Sequence, residues 1–119
     1  MSPVAQHEFS RIALLSELSG EKLAKLGERM RRERVAPGQA IVSEGDEGDR
    51  FYVVLSGMLT VDQKAQGPRS VLRTGDYFGE VALAMDVPRT ASVRALTPSV
   101  VASCDAATFD EFVRPLFSD

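Results

Sequence analysis

Short apolar segments separated by turn residues constrain this 119-residue chain more than any other feature. Six segments of strand length follow one another, at 39–43, 51–56, 58–62, 70–73, 91–95 and 100–104. Glycine, proline and aspartate lie between them, as in the runs 44–49 and 66–68. Strands this short, interrupted about every eight to twelve residues, are typical of all-β sandwiches and jelly rolls. We therefore expect an antiparallel β jelly-roll barrel over residues 39–105.

Helical patterns flank the predicted barrel on both sides. Residues 7–34 are expected to form two helices, the second with Ser19 as its N-cap and the run 31–34 at its end. Asp105 is a suitable cap for a short final helix over 106–114, which Pro115 would stop. The predicted fold class is therefore α+β, a single domain at 1–119 with a barrel between helices.

Composition and charge argue against several classes of function. The net charge of −3 and the pI near 5.2 argue against a nucleic-acid partner, which favours basic surfaces. Glu33 interrupts the basic run 31–34, which fits the end of a helix, where positive charge complements the dipole. No apolar run reaches the length of a membrane-spanning helix, so we expect no membrane insertion.

The single cysteine and the single histidine narrow the chemistry further. Cys104 cannot form an internal disulfide, and a buried thiol in a reducing, cytoplasmic compartment is the expectation. His7 alone cannot supply a multi-histidine metal centre, and it leaves no evident histidine base for hydrolysis. We therefore expect neither a metal cofactor nor an enzyme.

The segment 78–91 carries the residues best suited to binding a ligand. Gly79 permits close approach of the backbone, and a helical turn after it would offer free N–H groups to an anion. The Glu80 carboxylate can accept from a sugar hydroxyl, and the Arg89 guanidinium can bind a phosphate in two-pronged fashion. Together these groups would suit a pocket that binds a sugar phosphate. A surface ion pair between Glu80 and Arg89 is the alternative that the residues leave open.

This segment also resembles the phosphate-binding cassette of the cyclic-nucleotide-binding domain family. The family pattern is Phe-Gly-Glu, an aliphatic residue and Ala-Leu, then after a spacer Pro-Arg, Thr or Ala, and Ala. Residues 78–91 meet every keyed position without insertion or deletion. Residues 45–57 look like the family's glycine-rich turn and hairpin, so the resemblance extends over nearly the whole chain. It implies a non-enzymatic sensor that binds cAMP or cGMP, cAMP being favoured.

The resemblance also implies a role for individual residues. Arg89 would bind the exocyclic phosphate oxygens, and Glu80, with the N–H groups of Gly79 and Glu80, would bind the ribose 2′-hydroxyl. Ala82 would donate its N–H to the phosphate, and Thr90 would place a hydroxyl nearby, which does not decide the base. The remaining predicted contacts are Val81 and Ala91 in the cassette, and Val61 and Leu72 against the base.

Two other interpretations stay open at this point. Phe78, Val81 and Leu83 are the large apolar residues of the cassette that we expect in the core. A module that keeps this fold without binding nucleotide is the first alternative, and an enzyme on the same fold is the second. In the family a long final helix usually closes over the base, so we expect either a fragment of a larger signalling protein or a sensor acting on an effector or partner.

Overall fold

The computed structural model describes residues 4–65 and 67–117, and its strands form two four-stranded antiparallel sheets. The strands are β1 Arg31–Val35, β2 Ala40–Val42, β3 Arg50–Ser56, β4 Met58–Gln63, β5 Gly67–Arg73, β6 Tyr77–Phe78, β7 Ser92–Ala95 and β8 Ser99–Asp105. The first sheet has the order β1-β8-β3-β6, and the second has the order β2-β7-β4-β5. Consecutive strands alternate between the sheets often, as in other jelly rolls.

Helical segments lie before, between and after the strands. The first two are 3₁₀ turns at Gln6–Phe9 and Ala13–Glu17, and helix α1 follows at Gly20–Arg29. Helix α2 spans Glu80–Met85, and α3 spans Ala106–Thr108 and continues through Phe109–Val113 and Arg114–Phe117. Both predicted caps are confirmed, since Ser19 accepts from Lys22 N–H at 3.2 Å and Asp105 accepts from Thr108 N–H at 2.9 Å.

Strand β3 separates two hydrophobic cores because its side chains alternate between the faces of the first sheet. Phe51 and Val53 pack into a core with the helical segments, whereas Tyr52 and Val54 pack into a core between the sheets. The first sheet is therefore covered on both faces. Residues of the second sheet and of α2 face one cavity, which is described below.

Three sequence predictions about the fold were wrong. The two sheets are not closed into a barrel, because each keeps its own edge strands. The first helix is replaced by 3₁₀ turns, and the second ends at Arg29, after which the backbone of Met30 is extended. Residues 31–34 belong to strand β1, which pairs with β8 from Arg31 opposite Ser103 to Val35 opposite Ser99.

Smaller differences concern the ends of elements. The final helical segment runs past Pro115 to Phe117, because proline is tolerated in the first turn of a helix. Strand β5 begins at Gly67, earlier than predicted, and Gln66 of the predicted turn lies outside the described residues. Within residues 4–65 and 67–117, no helix has the length and apolar character needed to cross a bilayer.

Candidate ligand site

A cavity of about 230 Å³ opens between α2, the segment that follows it and the second sheet. Its wall is formed by Val42, Val61, Leu72, Tyr77, Phe78, Gly79, Glu80, Val81, Ala82, Arg89, Thr90, Ala91 and Val93. Every residue that the sequence predicts as a ligand contact is in this set. The structure thus brings residues from separate elements to one concave surface.

Gly79 sets the direction in which the chain enters α2. Its φ is 96°, in the left-handed region that favours glycine. A Cβ atom here would lie 2.8 Å from the Arg50 carbonyl oxygen and 2.9 Å from Arg89 Nη1. The helix ends at Met85, and the next residue, Asp86, has a φ of 53°. These two turns hold Glu80 and Ala82, in the first turn of α2, on the cavity wall.

The Arg89 side chain is buried, with only 6% of its surface exposed. Its Nη2 donates to the Arg50 carbonyl at 2.9 Å, and its Nη1 donates to the Gly79 carbonyl at 3.4 Å. Its backbone N–H donates to the Asp46 backbone carbonyl at 2.8 Å, and its backbone carbonyl accepts from Gly45 N–H at 2.8 Å. Both the main chain and the guanidinium are therefore fixed in place.

Neutral carbonyls, and no carboxylate, are the direct partners of this guanidinium. In the part of the chain that the structure describes, no carboxylate oxygen lies within 4.0 Å of it. Burial lowers the pKa of Arg89, and nearby Tyr52, Asp49 and Glu80 act in the opposite direction. Because arginine stays protonated in proteins, the cavity wall carries a buried positive charge that lacks a contacting counter-ion. An anionic ligand fits this electrostatic environment.

The opposite wall of the cavity is apolar and comes from the second sheet. Val42, Val61, Leu72 and Val93 lie on β2, β4, β5 and β7, and Val93 pairs with both Val42 and Val61. Val61 and Leu72 are predicted from the sequence, whereas the other two are not. The period-2 pattern could have identified Val93, since it lies two residues after Ala91 on the same face.

The large apolar side chains of the cassette have different environments. Phe78 is buried and also lines the cavity, and Tyr77 lines it without having been predicted. Leu83 packs against the helical core as expected. Val81 is 43% exposed, so its assignment to the core was wrong. The six-residue α2 presents Val81 at the mouth of the cavity, which a linear pattern could not distinguish from burial.

Two further predictions concern groups away from the cavity wall. The Cys104 thiol is fully buried, and burial raises its pKa to about 12, so it is inert as a nucleophile. Within residues 4–65 and 67–117, no cluster of three or more His, Cys, Asp or Glu side chains is arranged to hold a metal ion.

One further contact fixes the end of the cassette at the cavity wall. Gln63 Nε2 donates to the Thr90 carbonyl at 2.9 Å.

Comparison with known proteins identifies similar sequences and folds. The family model described as the cyclic nucleotide-binding domain matches residues 32–115. A cAMP-dependent protein kinase regulatory subunit from Yarrowia lipolytica is 40% identical over 109 residues, covering 91% of this chain and 29% of the relative. The cGMP-dependent protein kinase egl-4 of Caenorhabditis elegans is 33% identical over 116 residues, covering 92% of this chain and 15% of the kinase.

A solved structure agrees with the sequence comparison. The regulatory domain of Toxoplasma gondii PKA, crystallised with cAMP, superposes with a TM-score of 0.86 at 28% identity. The match covers 93% of this chain and 44% of that structure. The chain thus spans less than a third of the length of the two curated relatives and under half of this solved chain.

Proposed function

The chain belongs to the cyclic nucleotide-binding domain family, and we propose that it binds a cyclic purine nucleotide, cAMP in preference to cGMP, as a non-catalytic regulatory module. One observation carries this proposal: the buried Arg89 guanidinium faces a cavity and has only neutral partners in contact. A cyclic phosphodiester carries one negative charge, and Arg89 offers one positive charge with donors in a planar fork. The ligand would supply the missing counter-ion.

The polar groups of the cassette divide between the phosphate and the ribose. We assign the exocyclic phosphate oxygens to Arg89 and to the N–H of Ala82, which both line the cavity. Glu80 would accept a hydrogen bond from the ribose 2′-hydroxyl, assisted by the N–H groups of Gly79 and Glu80. An ionised carboxylate is an acceptor only, so it suits a hydroxyl and not a phosphate.

The purine would lie against the apolar wall. Val61 and Leu72 are the predicted base contacts, and Val42 and Val93 extend the same surface. Val81, Thr90 and Ala91 would complete the contacts around the mouth of the cavity. Apolar walls with a few convergent polar groups are the usual composition of small-molecule sites.

Two observations bear on which base is preferred. The Yarrowia lipolytica relative, whose name specifies cAMP, is more similar to this chain than the egl-4 kinase, whose name specifies cGMP. Thr90 on the cavity wall keeps cGMP as the second candidate, because a threonine hydroxyl can form a hydrogen bond with the guanine edge. Titration with both nucleotides decides between them.

We propose further that ligand binding regulates an effector domain or partner protein in the cytoplasm. The name of the Yarrowia lipolytica relative makes a protein kinase catalytic subunit the first class of partner to test. Within this chain, Arg114 Nη2 donates to the Leu83 carbonyl at 3.3 Å and links α2 to the C-terminal helical segment. A movement of α2 on binding would reach that segment through this contact.

Calorimetric titration of the chain with cAMP and then with cGMP tests the proposal. We expect saturable one-to-one binding, tighter for cAMP. We also expect at least a 100-fold loss in Arg89→Ala, which corresponds to about 2.7 kcal/mol and lies within the range of about 2–5 kcal/mol for removing one partner of a buried charge pair. Arg94→Ala is the matched control, because Arg94 is an exposed arginine on β7 that bonds to the Gly38 carbonyl and is not part of the cavity wall. Absence of binding at high micromolar concentrations of both nucleotides would contradict the proposal and favour a structural module.

A further inference from the structure

Tyr52 lies beside the Arg89 guanidinium, in the hydrophobic core between the two sheets. It is on β3, 7% exposed, and it is not among the residues of the cavity wall. The Arg89 Cζ atom lies over its ring, 5.9 Å from the centroid. The face of an aromatic ring is electrostatically negative and attracts a cation at such a distance. The Tyr52 ring thus offsets part of the positive charge of Arg89, which has no carboxylate in contact among the described residues.

The ring is itself fixed by a second aromatic residue. Tyr52 stacks on Phe78 with a centroid distance of 4.8 Å and an interplanar angle of 3°. The two residues are direct partners in the pairing of β3 with β6. Phe78 immediately precedes Gly79, whose carbonyl accepts from Arg89. The stacked rings therefore lie on the paired strands β3 and β6. Strand β6 leads directly into Gly79, whose carbonyl is one of the hydrogen-bond acceptors of Arg89.

We propose that Tyr52 is a positioning residue for the ligand site: its ring, stacked on Phe78, holds the Arg89 guanidinium in the orientation that binds the cyclic phosphate. The inference rests on the proposed function and adds a residue that the cassette pattern does not include. Arginine has several rotatable bonds, and a fork that is held before binding loses less freedom when the ligand arrives. The role belongs to the flat ring and does not require the hydroxyl.

A second arginine–aromatic pair provides a control on the other side of the first sheet. Arg29 Cζ lies 5.2 Å from the centroid of the Phe112 ring, in the core formed with the helical segments. Phe112 is buried to a similar degree as Tyr52, and neither Arg29 nor Phe112 lines the ligand cavity. Removing this ring tests whether a general loss of packing is enough to weaken binding.

The experiment compares Tyr52→Phe, Tyr52→Leu and Phe112→Leu by calorimetric titration with cAMP. We expect about a tenfold weaker affinity in Tyr52→Leu, an affinity within about threefold of wild type in Tyr52→Phe, and no change in Phe112→Leu. Thermal unfolding of each variant establishes that it is folded. Where Tyr52→Leu fails to fold, Tyr52→Met takes its place, because methionine keeps much of the buried volume without a ring.

A second measurement observes Arg89 directly and needs no ligand. The Nε–H resonance of Arg89 in a ¹H–¹⁵N NMR spectrum is assigned by its disappearance in Arg89→Lys. We expect this resonance to shift or broaden in Tyr52→Leu and to stay near its wild-type position in Tyr52→Phe and Phe112→Leu. A purely structural role for Tyr52 would not single out this resonance.

The two measurements separate failure of the inference from failure of the proposed function. If the wild-type chain binds neither nucleotide, the proposed function fails, and the Arg89 resonance alone decides whether Tyr52 holds the side chain. If the wild type binds, three results overturn the inference. They are an affinity of Tyr52→Leu equal to wild type, a loss no greater than that in Phe112→Leu, and a loss with an unchanged Arg89 resonance.

Discussion

Two arginine-bearing stretches of this chain differ in what surrounds their guanidinium groups. In the cassette, Arg89 is buried and bonds to the carbonyls of Arg50 and Gly79. In strand β1, Arg32 is half-buried and bonds to the Glu8 carboxylate, while Arg34 is exposed. Arg32 and Arg34 are thus paired or solvated, whereas Arg89 carries a buried charge without a contacting counter-ion. A candidate anion site is marked by a charge that the fold leaves uncompensated, and not by the number of basic residues.

Strand β1 has a structural reason to be charged. It is an edge of the first sheet and pairs with β8 on one side only. An edge strand exposes unpaired backbone groups to other chains, and charged side chains discourage such pairing. The charged side chains of β1 therefore discourage this edge strand from pairing with another chain. Arg89, by contrast, has no edge to protect and lies against a cavity.

The largest difference in cAMP affinity between the two stretches should appear when Arg89 and Arg32 are each replaced by methionine. We expect Arg89→Met to weaken cAMP binding at least 100-fold while the free energy of unfolding without ligand falls by no more than about 1 kcal/mol. A buried charge without a counter-ion contributes little net stability, because its desolvation offsets its hydrogen bonds. Urea unfolding and calorimetric titration measure the two quantities.

Arg32→Met is the matched control for this substitution. It removes the ion pair with Glu8 and should leave cAMP affinity at the wild-type value. A loss of several kcal/mol of stability in Arg89→Met would show that Arg89 is mainly a structural residue. Equal affinity losses in both variants would remove the distinction between the two stretches.

The sequence predicted the cassette better than it predicted β1, and the reason is physical. Gly79 and Glu80 belong to one short turn into α2, and Arg89 follows nine residues later, so a short pattern contains much of the information needed to place them on the cavity wall. The charged run 31–34 has no period-2 apolar signal, because an edge strand is specified by pairing with β8. Its strand conformation depends on residues about 70 positions away in the chain, which local patterns do not report.

The same limit explains the other errors. Whether two sheets close into a barrel depends on pairing between their edges, and that pairing is not encoded in any one segment. Val42 and Val93 complete the apolar wall only because β2 and β7 pair across the second sheet. Local sequence predicts a strand at Tyr52, but the relation of Tyr52 to Arg89 follows from the stacking on Phe78. These contacts are tertiary, so local sequence patterns did not show them.

The fixed position of Arg89 depends on a close approach of the 44–49 turn, which Gly48→Ala would disturb. A Cβ atom on Gly48 would clash with the Ala82 Cβ and lie 3.1 Å from Arg89 Nε, so α2 or the guanidinium must shift. We expect about a tenfold loss of cAMP affinity and a loss of about 1–3 kcal/mol in unfolding free energy, as for other overpacked sites. Calorimetric titration and urea unfolding are the measurements.

Gly38→Ala separates steric displacement from backbone strain. Gly38 has a φ of +84°, and a Cβ atom added there would meet no other atom within 4 Å, so the substitution causes strain without a clash. We expect a loss of about 1–2 kcal/mol in unfolding free energy and an unchanged affinity. Wild-type affinity in Gly48→Ala would mean that α2 or Arg89 can shift without loss of binding, which would weaken the contrast with Arg32 and Arg34 of β1.

The smallest expected effect is a pH dependence that belongs to the β1 stretch. Burial acts to raise the pKa of Glu8, but the Ala5 N–H and the Arg32 guanidinium more than offset it, and the pKa lies below its ordinary value of 4.5. A carboxyl whose pKa is lower in the folded state stabilises the fold above its unfolded pKa. That stabilisation is lost as the pH falls from about 4.5 through the folded pKa.

The difference in unfolding free energy between wild type and Glu8→Gln measures this contribution. We expect a difference of less than about 1 kcal/mol at pH 7, because the pair is partly exposed, and a smaller one at pH 3. The Asp105 pKa is also lowered, by the N–H and the side chain of Thr108, but that effect is common to both proteins and cancels in the comparison. A difference that stays constant from pH 7 to pH 3 would mean that the Glu8 charge does not stabilise the fold. In that case Arg32 would lack an effective counter-ion, and the contrast between β1 and the cassette would have to rest on the burial of Arg89 alone.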